Sequence, residues 1–144
     1  METQNYANHR QFVPIFHFVL GPILILTVIG AIVNLYESWG DHQRLYSASL
    51  ILVLSVAVLL LSILARIFAL KAQDRAIRAE ENLRHFALTG KLLDDRLSMG
   101  QILALRFASD GEFVELAHKA ADANIEPKAI KQAVKSWRPD YHRA

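Results

Sequence analysis

Two apolar stretches decide most of what this chain can become. The first, Phe12–Tyr36 (FVPIFHFVLGPILILTVIGAIVNLY), holds no Asp, Glu, Lys or Arg. The second, Leu45–Leu70, holds only Arg66, near its end. Each is longer than the roughly 18 residues that separate membrane spans from buried helices, and each could cross a ~30 Å hydrocarbon layer. The first is too long for a signal sequence, and no small-residue cleavage site follows it, which predicts a permanent span. Between them Glu37–Arg44 carries one Arg against Glu37 and Asp41, whereas Arg66, Lys71, Arg75, Arg78 and Arg84 crowd the far end of the second. Basic residues stay on the cytoplasmic side. The expectation is a bacterial inner-membrane protein with both termini cytoplasmic, and with Tyr36, Trp39 and Tyr46 at the opposite interface. The expected fold class is an all-α membrane protein. A transmembrane hairpin is followed by an extension of its second helix into the cytoplasm and a small helical C-terminal domain. The segments read 1–11 (cytoplasmic), 12–36 (span), 37–45 (outside loop), 46–88 (span and extension) and 89–144 (helical domain).

The two spans differ. Pro14 falls in a first turn, where a missing N–H costs little. Pro22 lies inside the first span and should kink it, either as a bent packing surface or as a hinge. His17, in the same span, is a weak candidate ligand for a haem or chlorophyll metal. The alternatives are a hydrogen-bonded packing histidine or a contact to lipid or a partner chain, since the second span offers no partner His and Val13 stands where a small residue would be needed. No cofactor is expected. Arg66 can snorkel to the cytoplasmic interface or serve as a buried counter-ion.

In the second stretch Ala48, Ser55, Ser62, Ala69, Ala76 and Leu83 recur at intervals of seven, and Ile51, Val58, Ala65, Ala72, Ala79 and Phe86 follow each by three. This is an a/d seam without a phase change. Its small residues would let another helix approach closely, which is how helices associate in lipid. The helix should run from about Tyr46 to Leu88, flanked by favourable pairs Asp74–Arg78 and Glu80–Arg84. Beyond the membrane the seam needs covering by the C-terminal helices, a second copy or another protein.

Gly90 should end the long helix. Capping boxes at Ser98/Gln101 and Ser109/Glu112 then start two helices, and Pro127 starts a third that Pro139 closes. Ile102, Leu105, Phe113, Leu116, Ile130, Val134 and Trp137 give these helices apolar faces. Lys128, Lys131 and Lys135 are predicted along one face of the last helix, with Arg138 and Arg143 beyond. That face is either solvated or set against anionic lipid or a partner, as Arg66 and Lys71 would be. Glu115, His118 and Asp122 share a helix face, but the other half of a di-metal motif is missing. No metal site, phosphate loop, dinucleotide fingerprint, nucleophile–base arrangement or nucleic-acid motif is found. The absence of cysteine removes thiolate chemistry.

The runs RAEENLRHF and ALRFASD, within QDRAIRAEENLRHFALTGKLLDDRLSMGQILALRFASDGEF, and EPKAIKQAVKSWRPDYHR near the end resemble a family of small bacterial inner-membrane proteins of unknown function. The resemblance covers nearly the whole chain. It implies the two-span architecture and carries no activity. The function expected is that of a non-catalytic accessory or scaffold subunit of a larger inner-membrane complex, an energy-converting one being a candidate, with lipid and other subunits as partners. The alternative is a homodimeric adaptor or sensor that recruits a soluble partner through its cytoplasmic helices.

Overall fold

The computed structural model describes residues 4–8 and 13–140, and all regular structure among them is helical. The ends of segments 1–11 and 89–144, the first residue of the first span (Phe12) and Arg143 lie outside the described residues. The chain divides into two compact units, Phe12–Ala69 and Met1–Gln11 with Leu70–Arg143. One helix, α2 (His42–Thr89), runs through both.

In the first unit, a π-helical turn, Ile15–Leu20, leads into α1, Gly21–Glu37. The Gly21 N–H reaches back to the Phe16 carbonyl. This widened register is how the chain absorbs Pro22. Its ring has no N–H to give and would press on the carbonyl of residue 18, so the turn before it opens. The deformation expected at Pro22 therefore takes the form of a π turn. Gly40, at φ +100, turns the chain after α1. Asp41 starts α2, its carboxylate accepting the backbone N–H groups of Gln43 (3.1 Å) and Arg44 (3.2 Å).

Both Ile15–Glu37 and α2 are long and apolar enough to cross a membrane, and only 6% and 11% of their most apolar 18 residues are buried. The buried residues of this unit are Ala31, Ser38, Ala48 and Ser55, all small. Hydroxyls along the apolar helices are held by their own backbone: Thr27 on Ile23 O (2.8 Å), Ser55 on Ile51 O (2.7 Å) and Ser62 on Leu59 O (2.8 Å). Such local bonds satisfy a hydroxyl with no water present.

In the second unit α2 ends at Thr89, with Gly90 at φ +74 and its N–H on Phe86 O, as the sequence predicts. Helices α3 (Met99–Leu105), α4 (Asp110–Asp122) and α5 (Pro127–Ala133) follow. The Ser98 hydroxyl accepts the Gln101 N–H while the Gln101 side chain accepts the Ser98 N–H, completing the predicted capping box. The core gathers Leu93, Leu97, Ile102, Leu105, Phe113 and Ile130, with Leu116 and Trp137 half-buried at its edge. Gly100 lets α3 approach Pro127, where a Cβ would sit 3.1 Å from the ring.

Two local expectations give way to tertiary bonds. The Ser109 hydroxyl caps no N–H of α4; the Glu112 carboxylate accepts instead the backbone N–H groups of Lys135 (3.1 Å) and Ser136 (2.9 Å). And α5 stops at Ala133 rather than continuing towards Trp137. The segment after it turns extended to pair with the α3–α4 connection, through Ser109 N to Ser136 O (3.0 Å) and Arg138 N to Phe107 O (2.8 Å). Lys135 therefore falls beyond the helix and does not share its face with Lys128 and Lys131.

Candidate functional site

The second unit presents two different sides of α2. One, Ile77–Glu81–His85, is buried with relative exposures of 7%, 4% and 4%. Spacing of four keeps these three on one stripe, and the C-terminal helices cover it. Glu81 is its chemical centre. Its carboxylate meets Arg84 at 3.0 Å and Arg138 at 3.5 Å. Arg84 is a hub: it also reaches Asp110 (2.6 Å) and the Ala108 carbonyl (2.7 Å), and lies 4.3 Å from the Phe113 ring centroid. Desolvated carboxylate and guanidinium are tolerable here because each is paired and hydrogen-bonded. Neither predicted surface pair, Asp74–Arg78 nor Glu80–Arg84, closes within 4 Å; Arg84 is drawn towards Glu81 and the connection before α4.

Beside this stripe lies a cleft of about 450 Å³, lined by Gln73, Glu80, Glu81, Arg106, Arg138 and Asp140, among others. Arg106 is buried and ion-paired to Asp140 at 3.2 Å. The backbone of Asp140 is clasped by the buried Gln4 side chain, whose oxygen accepts the Asp140 N–H (2.7 Å) and whose amide donates to the Asp140 carbonyl (3.4 Å). The Gln73 Oε1 atom is buried on the cleft wall without a hydrogen bond. A second cleft, about 370 Å³, is lined by His85, Thr89, Leu93, Asp94 and His118, among others. His85 Nδ1 donates to the Lys91 carbonyl at 2.7 Å, since a carbonyl can only accept. Its ring stands 6.1 Å from that of His118.

The face with Glu115, His118 and Asp122 does not converge. Glu115 pairs with Lys119 (2.6 Å), which holds its carboxyl below the ordinary value, and Asp122 pairs with Arg96 (3.0 Å). Asp94 is gripped by Arg96 at 2.6 Å and its carboxyl is driven well below the usual range. Among the described residues no group of three or more His, Cys, Asp or Glu is placed to hold a metal. Partial burial works to raise the Glu112 carboxyl, but the N–H groups of Lys135, Ser136 and Ser109 outweigh it and lower it.

The other side of α2 carries the predicted seam. Ala48 and Ser55 are buried and Ser62 half-buried within the first unit, while Ala65 and Ala69 are exposed. In the second unit Ala72, Ala76, Ala79, Leu83 and Phe86 are all exposed, Leu83 at 68% and Phe86 at 51%. The C-terminal helices thus leave this part of the seam bare. Arg66 is half-buried, 5.5 Å from the Phe16 ring centroid. His17 is exposed, with its Nδ1 2.9 Å from the Val13 carbonyl of its own helix. Lys71 and Lys128 are exposed, Lys131 lies 5.6 Å from the Phe107 ring centroid, and Arg138 reaches Glu81. Sequence reasoning missed the Ile77–Glu81–His85 stripe because Glu81, Arg84 and His85 read as surface residues. The available signal was the spacing of four beginning at Ile77.

A family model matches residues 1–144, that of a family of unknown function (DUF6526). No curated protein and no solved structure matches the chain.

Proposed function

The chain belongs to this family of unknown function, and from its own residues we propose that it is a non-catalytic accessory or scaffold subunit of a larger assembly in a bacterial inner membrane. The observation that carries the reading is α2 itself. One unbroken helix of 48 residues, about 72 Å at the standard rise, joins an apolar stretch to a folded helical module. That is the build of a part that holds others in place.

Four features support the hairpin placement. The exposed side chains of Ile15–Glu37 and of the apolar part of α2 are too many and too contiguous for a water-facing surface. The small buried residues Ala31, Ala48 and Ser55 suit close helix approach in lipid. Arg66 near Phe16 at one end, and a concavity lined by Asn34, Ser38, Ser47 and Ala48 at the other, fit two antiparallel spans. The Gln4–Asp140 clasp supports an even number of crossings, because a residue before the first apolar stretch meets one after the second. The basic residues Arg66, Lys71, Arg75 and Arg78 favour the cytoplasm for that unit. Exposed Tyr36, Trp39 and Tyr46 then fall at the opposite interface.

The test is native mass and composition after gentle detergent extraction from the host membrane at natural expression level. Co-purification with a fixed set of other chains is expected, and a species containing only this chain would overturn the accessory reading.

A further inference from the structure

We infer that the bare face of α2 in the second unit is a self-association surface, covered by the same face of a second copy running parallel to it. Ala72, Ala76, Ala79, Leu83 and Phe86 alternate in steps of four and three, and all are exposed. In heptad terms they occupy d, a, d, a and d. The positions flanking such a seam decide what can lie on it. Arg75 occupies g and Glu80 occupies the following e, both exposed and neither ion-paired among the described residues. In a parallel, in-register pair the g residue of one helix meets the e residue of the next heptad in its partner. Arg75 of each copy would therefore meet Glu80 of the other, twice per dimer by symmetry. The other flanking positions, Gln73, Asn82 and Ala87, carry no charge that would oppose the pairing.

The same residues argue against an antiparallel arrangement. There g faces g and e faces e, so with the seam in phase Arg75 would lie opposite Asn82 and Glu80 opposite Gln73, and both attractions would be lost. The surface is also sterically available. At about 100° per residue the seam lies on the opposite side of α2 from Ile77, Glu81 and His85. Ala76 borders the cleft that holds Arg106 and Asp140, and Ala79 a shallow concavity with Met99, so a second helix would pass along the rim of the C-terminal module. Two heptads alone bind weakly, but anchoring in one membrane would raise the effective concentration of the partner helix. The parallel direction rests on the membrane placement proposed above, because chains inserted the same way present α2 in the same sense.

The chain contains no cysteine, so single replacements report cleanly. Ala72→Cys and Ala79→Cys, expressed at natural level and oxidised mildly in native membranes, are expected to give disulfide dimers of this chain, while the exposed Arg78→Cys outside the seam gives few. In the Ala79→Cys background, Arg75→Glu or Glu80→Arg alone should lower the dimer yield about fivefold by turning two attractions into repulsions. The swap Arg75→Glu/Glu80→Arg should restore it. Equal crosslinking at residues 78 and 79, no dimer at either seam position, or a swap as poor as its single variants would each overturn the proposal. Alkaline extraction of the same samples separates the two readings. A chain that stays in the membrane but does not crosslink refutes the pairing alone, and a chain that crosslinks but is released refutes the membrane placement alone.

Discussion

Replacing Arg84 by Met should destabilise the second unit by about 3–5 kcal/mol, the usual cost of leaving a buried charge without its partner. The magnitude follows from what Arg84 holds. Its pair with Asp110 contributes little, because that carboxylate is 70% exposed. Its bond to the Ala108 carbonyl, a charged donor on a backbone acceptor, is worth about 1.5 kcal/mol. Most of the loss comes from Glu81, whose side chain is 5% exposed and would be left with only Arg138 at 3.5 Å. Replacing both Glu81 and Arg84 by Met removes the stranded charge, so the double variant should recover at least about 2 kcal/mol of the single variant's loss. The assay is urea unfolding of the full chain in detergent, followed by Trp137 fluorescence in a Trp39→Phe background. Trp137 reports on this unit because its ring packs 4.9 Å from that of Phe107. An Arg84→Met variant within about 1 kcal/mol of the parent, the range of an exposed ion pair, would refute the buried-hub account. A double variant less stable than the single one would refute it equally.

Three further outcomes are expected. The Glu112 carboxyl is held below its ordinary value of 4.5 by backbone N–H groups, so its contribution is present above that value and disappears as pH falls through the lower folded value. The Trp137 signal should accordingly change on acidification, and Glu112→Gln should remove that step. Ser98→Ala should cost about 1 kcal/mol in urea unfolding because it opens a complete capping box. Ser109→Ala should cost clearly less, since that hydroxyl caps no N–H. Gly90→Ala should cost about 1 kcal/mol for conformation alone, because φ is +74 and a Cβ there meets no atom within 4 Å.

The readable parts of this fold were those fixed by neighbouring residues. Gly90 ending α2, the Ser98–Gln101 box and Pro127 opening α5 each depend on bonds spanning four residues or fewer, and each stands where the sequence put it. The two membrane-length helices announce themselves by apolar content alone. What escaped was set by contacts between distant residues. Nothing near Glu112 reveals that its carboxylate will cap Lys135 and Ser136, and nothing near Val134 reveals that the chain must leave the helix to meet Phe107 and Ser109. The buried stripe of α2 was hidden because its charges are neutralised only by Arg84, Arg138 and Asp110 in the folded state. At the candidate site, the seam spacing was legible, whereas the side of α2 that the module would occupy was not.

The clasp between Gln4 and Asp140 also sets an order of events during synthesis. The two residues lie 136 apart in sequence, so one leaves the ribosome roughly 10 s after the other at ordinary elongation speed. Both apolar helices emerge in that interval. Both are therefore made while the amino-terminal segment still lacks its partner, and the clasp is a late closing step. A tag or fusion that strains Gln4 or Asp140 would be felt at this last step.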